Sequence, residues 1–373
     1  VLSILVAVAV GLGLSIQTAV NSRLRLNVGS PFFSSLVSFA VGTVFLVLIV
    51  AIEGRGIHLP EGLPVWTLLG GPLGVLALTS NILLFPFLGA VETVLLPLLG
   101  QVLMSLIIDE LGLFRANQHE MDVARGMGAL LMLGGVLLAV MSKRGTNVGS
   151  QIHGGKALWR MWGIVAGGLA ACQSAINGHL GVLLGSPLNA ALISFSGGLL
   201  VLLILVTVIG HWPTTKRRMA AYLSSRVQSV EISTVLAGDD GEGSPAGDDG
   251  EGSPAGDDDE GSPAGDAGKV SLTSDDGDGE VSTNAPAKLP SVWRPWWIWT
   301  GGILGALFVF AVASLVPTLG TGLTLMFAMV GQVSGSMLVD HFGAFGAQKN
   351  PIIPIQAVGV IVMAVGVMII RVM

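Results

Sequence analysis

Two amides four residues apart, Gln17 and Asn21, stand inside an otherwise apolar stretch, and the pair returns as Gln173 and Asn177. That spacing puts both amides of a pair on one helix face. A second pattern, Gln101, Ser105 and Asp109 at i, i+4 and i+8, is copied by Gln332, Ser336 and Asp340. Amides and hydroxyls supply both donors and acceptors, so the four stripes could line a path for a polar solute, or hydrogen-bond across helices and hold them together. Left unpartnered, each buried amide costs about 1 to 3 kcal/mol. The stripes must therefore face a bundle interior or a wet cavity. A glycine precedes both Gln101 and Gln332, which leaves backbone accessible there and favours the solute path. Asp109 and Asp340 close their helices where the macrodipole opposes an acid. They are candidate ion or proton gates, or turn caps in the form Asp-x2-Gly-x-Phe. Glu92, matched by Leu323, breaks the symmetry. It is a candidate coupling acid, or a carboxylate settled at the N-terminus of a fourth helix.

Catalytic chemistry finds no footing. His58, His119, His153, His179, His211 and His341 are scattered without paired metal-ligand spacing. The single cysteine, Cys172, excludes an intrachain disulfide framework and any zinc site built on several thiolates. It reads as a small packing residue. No G-x4-G-K-[ST] phosphate loop is present. The expectation is a protein that is not an enzyme, with no cofactor, no resident metal and no nucleic-acid partner.

The elements that carry these stripes are hydrophobic. Of 373 residues, 51% are apolar and 11% charged, with a mean hydropathy of +0.76, against about 25% charge in a soluble domain. A soluble globular reading is excluded. Charge-free runs cover 1–22, 30–52, 63–91, 93–108, 126–142, 161–178, 182–210, 296–339 and 351–370. A helix crosses the hydrocarbon core with about 20 residues. The run 296–339 holds two crossings, broken at Pro317 and Gly320, which makes ten membrane helices. The first run lacks a basic leader and a cleavage site, so it is expected to be retained. The fold class is all-α and polytopic, since short alternating strands of an outer-membrane barrel are absent.

Charge is unevenly placed. Fifteen of the 24 acidic residues fall in 239–280 beside one lysine, Lys269, and the remainder is net basic. Residues 238–265 repeat Gly-Asp-Asp-Gly-Glu-Gly-Ser-Pro-Ala with a nine-residue period, and lack the large apolar residue a stacked calcium-binding repeat would need. A disordered, self-repelling insert over 213–289 is expected. It follows the basic residues Lys216, Arg217 and Arg218, which fix topology or rest on an anionic leaflet. With ten crossings, fourteen Lys and Arg fall on one face and only Arg55, Arg115, Arg125 and Arg371 on the other. The positive-inside rule then makes the richer face cytoplasmic, with both termini outside and the acidic loop inside.

The chain repeats itself. At an offset of 156, Gln17, Asn21, Leu24, Gly29, Ser30, Pro31, Ser38, Phe39 and Gly42 meet identical residues from Gln173 to Gly198. At an offset of 231, Gly70, Gly71, Gly74, Pro86, Gly89, Gly100, Gln101, Ser105, Asp109, Gly112 and Phe114 meet identical residues from Gly301 to Phe345. One five-helix unit is used twice, over 1–145 and over 146–212 with 290–373. Five is odd, so the second unit enters the membrane from the opposite face. Inverted repeats of this kind are typical of secondary transporters, with a midplane site between the repeats. Gly-Ser-Pro at 29–31 and 185–187 reads as a C′ glycine, an N-cap serine and a first-turn proline. Gly70-x3-Gly74 and Gly301-x3-Gly305 are expected to bring two backbones close.

This unit, with Gln-x3-Asn-x2-Leu, Gly-Ser-Pro, Ser-Phe-x2-Gly and Gly-Gln-x3-Ser-x3-Asp-x2-Gly-x-Phe over 17–114 and again over 173–345, resembles the YdcZ family of the drug/metabolite transporter superfamily. The resemblance implies a bacterial inner-membrane protein that moves a small solute, in the exporting direction, as the fused form of units that elsewhere occur singly. Small multidrug members of that superfamily carry a membrane glutamate in their first helix. Here amides stand in helices one and six. The expectation is alternating-access transport of small polar or amphipathic metabolites within a lipid bilayer. A channel, a scaffold using the acidic loop, and a homo-oligomer stay open.

Overall fold

The structure, a computed structural model, describes residues 1–54, 56, 59–120, 122–141, 156–210, 212, 295–347 and 349–372. His58, His153, His211, the basic segment at 216–218 and the acidic repeat lie outside the described residues. The chain divides into two units, Val1–Arg226 with Pro290–Met373, and Val227–Leu289. All described elements belong to the first.

Among the described residues the regular structure is entirely helical: α1 (Leu2–Val28), α2 (Pro31–Glu53), α3 (Gly70–Leu111), α4 (Val123–Met141), α5 (Lys156–Leu183), α6 (Pro187–Ile209), α7 (Thr300–Leu319), α8 (Thr321–Phe342) and α9 (Pro354–Val372). The Gly-Ser-Pro corners form as the sequence requires. Gly29 (φ 71°) and Gly185 (φ 59°) take the left-handed conformation. Ser30 Oγ accepts the Phe33 N–H, Ser186 Oγ accepts the Asn189 N–H, and a proline opens the helix that follows.

α3 is helical over 42 residues, with Pro86 and Pro97 inside it giving no N–H to the ladder. A straight helix of that length would run about 63 Å, twice the hydrocarbon core. Its neighbours show that it doubles back. A methyl group on Gly163 of α5 would lie 3.1 Å from Leu96 Cβ and 3.5 Å from Leu84 Cδ1, although twelve residues separate the two leucines. From that point the first limb runs antiparallel to α5, through Gly74 beside Gln173 to Gly70 beside Asn177, while the second runs parallel, through Gly100 beside Ile164 to Met104 beside Gly168. The reversal lies in the interval holding Pro86 and Gly89. In the second unit the corresponding break is outright, at Gly320 (φ 83°) between α7 and α8. Eight helical segments are long and apolar enough to cross a membrane. The first limb of α3 and α5, which carries Gln173, Asn177 and His179, lie alongside them and complete ten crossings.

The two units run in opposite directions. Asn21, late in α1, sits on Gly301 at the start of α7, whereas Gly178, late in α5, sits on Val316 near its end. They also interlock. α1 of the first unit packs on α7 and α8 of the second, and α5 of the second packs on both limbs of α3 of the first. α2 pairs with α6 through Phe39 stacked on Phe195, ring centroids 4.8 Å apart. α4 pairs with α9, where Gly128 faces Gly366 and Gly135 faces Gly359.

Glycine sets these distances. The Gly-x3-Gly pairs do not bring backbones together as expected. Gly70 and Gly74 form a notch for the Asn177 and Gln173 side chains, and Gly301 and Gly305 one for Asn21 and Gln17. An amide head fills the volume a side chain would have taken. Backbones meet instead at Gly71 against Ser194 O, Gly302 against Ser38 O, Gly100 against Ile164 O and Gly331 against Val8 O.

Alanine at Gly100 or Gly331 should destabilise the protein by about 1 to 3 kcal/mol through overpacking. Alanine at Gly126 or Gly134, where an added methyl meets nothing within 4 Å, should be neutral or slightly stabilising. Thermal unfolding in detergent micelles measures the contrast.

Candidate functional site

The predicted amides lie in the seam between the units. Asn177 is 2% exposed, and its Oδ1, the Asn21 Oδ1 and the Gln17 Oε1 are buried without a hydrogen-bond partner. Asn21 is held otherwise: its Nδ2 donates to Ser38 Oγ at 3.3 Å, and its main-chain oxygen accepts from Ser34 Oγ at 3.0 Å. The glycine Cα–H groups facing these oxygens offer at most weak contacts. Three strong acceptors are thus left over in the seam, at a cost of about 1 to 3 kcal/mol each.

The second pair of stripes does not join them in one cavity. Ser105 is fully buried and donates to Val102 O of its own helix at 2.9 Å. Gln101 and Gln332 are half-buried. The glycines before them do not expose backbone, contrary to expectation, because each is seated on a carbonyl of α5 or α1. Ser336 is half-buried. Ser15, which sequence spacing did not single out, donates to the main-chain oxygen of Gln332.

Asp109 is 4% exposed and accepts the N–H groups of Thr321 at 2.9 Å and Gly322 at 2.8 Å. It caps the N-terminus of α8, a helix of the other unit, where an acid is favoured by the dipole. Asn117 Nδ2 donates to Pro317 O at 2.7 Å, tying the same loop to the end of α7. The loops after both aspartates close on main-chain bonds, His119 N–H to Asp109 O at 2.8 Å and Asn350 N–H to Asp340 O at 2.7 Å, while the Asp109 carboxylate goes to α8 and not to its own turn. Asp340 is half-buried. Glu92 stands at the start of the second limb of α3. Arg160 holds it through two contacts of 2.7 Å, and with Arg160 exposed, water screens the pair and leaves it little to contribute.

Each face carries an aromatic latch. Trp66 stacks on His179, centroids 5.4 Å apart, and tilts onto Phe114. Its repeat is Trp297 edge-on to Phe345, with Arg23 beside Gly346. Phe114 (φ 56°) and Phe345 (φ 58°) both adopt a backbone that side chains rarely take.

The two faces nevertheless differ. On the face where α5 and α7 end, Ser174, Gly178 and Gly181 of α5 are buried, the two glycines against α6 and α7 of their own unit. The first eleven residues of α8 are buried without exception. On the face where α1 ends, the equivalent Thr18, Ser22 and Arg25 are exposed. Among the described residues α1 has no packing on α3 to match that of α5 on α7. The second limb of α3 is correspondingly exposed, with Val94 at 47%. One end of the bundle is thus buried, and the other, on the face of Arg23, Arg25 and Arg160, leaves the α1 stripe exposed. Sequence spacing missed this stripe. Its signal was the departure of Ser22 and Arg25 from Gly178 and Gly181. The best-formed grooves elsewhere are apolar, one between α2, α6 and α7 at Phe45, Leu46 and Phe310 and one between α4 and α9 at Met127 and Val362, and hold none of the predicted residues.

Interlocked inverted units with amides at their seam define the class, a multi-pass inner-membrane protein of the transporter kind. The family model DMT_YdcZ, described as "Putative inner membrane exporter, YdcZ", matches residues 2–138, 158–228 and 280–369. The chain belongs to this family. One solved crystal structure resembles it with a TM-score of 0.57 at 11% identity, covering 98% of this chain and 97% of the other. At that identity the likeness shows the fold alone. No curated protein matches the sequence.

Asp109→Ala strands two buried N–H groups and should lower stability by about 2 kcal/mol or more. Asp109→Asn, which keeps an acceptor, should cost less, and Glu92→Ala the least. Thermal unfolding in detergent ranks the three.

Proposed function

We propose that the protein is a secondary transporter that exports small polar or amphipathic metabolites by alternating access along the seam between its units. The carrying observation is the asymmetry of two sequence-equivalent mouths: α5 closes one against α7, and α1 leaves the other open. Equivalent segments that differ in burial on opposite faces of an inverted repeat support a rocking carrier, which needs one gate closed while the other is open. The open mouth lies on the basic face, which by its fourteen Lys and Arg is the cytoplasmic one. Both termini then lie outside, and solute enters from within.

In this reading the solute passes the half-buried Gln101 and Gln332 and the amides of α1 and α5. As the units shift, Gln17, Asn21, Gln173 and Asn177 leave their glycine notches and their unsatisfied oxygens gain partners. Asp109 holds the sealed end together through the α8 cap. Asp340, on the opposite face, is its counterpart for the other state, and Ser105 and Ser336 stand four residues before the two aspartates on the same helices. Glu92, exchanging Arg160 for another partner, offers a site for coupling.

The test is uptake into proteoliposomes from a panel of radiolabelled metabolites. A carrier gives a saturable flux that is accelerated by unlabelled solute on the far side. A flux linear in concentration and without counterflow would reject the carrier reading. Replacing Gln101 and Gln332 together by leucine should reduce flux at least tenfold while the protein still folds into the membrane; retained flux removes both residues from the path.

A further inference from the structure

The gates of the two faces are built from different residues. On the sealed face a methyl group at Gly178 would lie 2.6 Å from Val316 Cγ1, and one at Gly181 would lie 3.3 Å from Pro187 Cα and 3.5 Å from Ala313 O. The seal is dry and has no room for a long side chain. At the same places α1 carries Ser22 and Arg25. Arg25 is exposed, and no acidic side chain pairs with it among the described residues. Among the described residues the acids on its face are Glu92, held by Arg160, and Asp340, counterpart of the helix-capping Asp109.

Closing the open mouth by the same movement would carry the Arg25 guanidinium between α1, Pro31 and the first limb of α3 at position 82, the counterpart of Ala313. Taking an unpaired cation out of water costs several kcal/mol, and a counter-charge removes most of that cost. A guanidinium pairs best with a carboxylate or phosphate, whose two oxygens it meets with two parallel N–H groups.

Resting on the carrier reading, we propose that Arg25 is the charge-selecting residue of the open mouth, which closes when a solute bearing a carboxylate or phosphate group supplies the missing anion. Thr18 and Ser22, deeper on the same exposed face of α1, line its way in. The second gate, with glycine in place of arginine, closes without a counter-charge. The two halves of the cycle therefore differ: one step depends on solute charge and the other does not.

The experiment places Ser22→Cys in a Cys172→Ser background, in sealed vesicles with the Arg25 face outward, and follows labelling by a membrane-impermeant maleimide. Arg25→Gly, which copies Gly181, should slow labelling at least fivefold, and Arg25→Lys should not. An unchanged rate in Arg25→Gly overturns the proposal. With Arg25 present, lactate or inorganic phosphate should also slow labelling, whereas neutral lactamide should not. Slowing by lactate alone assigns a carboxylate, and by phosphate alone a phosphate. Slowing by neither, or equally by lactamide, overturns the charge assignment. Ser174→Cys, labelled from the opposite face, separates the two levels. If it is never reached in either background, the carrier reading fails. If it is reached while Arg25→Gly leaves Ser22→Cys unaffected, only the role of Arg25 falls. Thermal unfolding of each variant within a few degrees of the parent shows that the fold is intact.

Discussion

The structure depends on volume withheld. At Gly70, Gly74, Gly301 and Gly305 there is no side chain, and the amides of the other unit fill the gap. Lipid offers no hydrophobic drive between helices, so close packing must hold them. Here the packing crosses from one repeat to the other in both directions. Neither unit has a complete interior alone. The first helix of each is a wedge in the partner, and the backbone contacts at Gly100 and Gly331 set its depth. Asp109 and Asn117 add a polar tie at one end of the seam.

That arrangement explains how a rigid bundle can hold unsatisfied polar groups. The Gln17, Asn21 and Asn177 oxygens lose hydration without gaining a donor, a cost borne by the surrounding contacts. Rearranging the seam would relieve it. The two ends of the bundle thus differ at few residues. Among these, the glycines of α5 and the Ser22 and Arg25 of α1 are the clearest departures from two-fold equivalence.

Much of this was legible in the sequence. The repeat, its odd helix count and the Gly-Ser-Pro corners follow from residue spacing, and the geometry of α1, α5 and α7 agrees with inversion. What spacing could not reveal was partnership. Two copies of one motif look the same whether a notch receives its own unit's amide or the other's, so Gly-x3-Gly was read as backbone contact. Asp109 was legible as a helix-terminal acid but not as a cap on a helix 212 residues away. The hairpin in α3 is hidden inside one helical stretch, Gly70–Leu111, whereas Gly320 announces its break openly. The difference between the mouths was hidden for another reason: alignment rewards identity, and the informative positions are those where the copies disagree.

The pairing of α4 with α9 and of α2 with α6 brings like surfaces together, Gly128 with Gly366 and Phe39 with Phe195. A half-length ancestor inserted both ways up would have found in its own mirror-oriented twin nearly every surface that this polypeptide supplies internally. Joining the halves removed the need for balanced insertion, because each molecule now carries one of each orientation. It also freed the copies to diverge, which a gene encoding two identical halves could not have allowed.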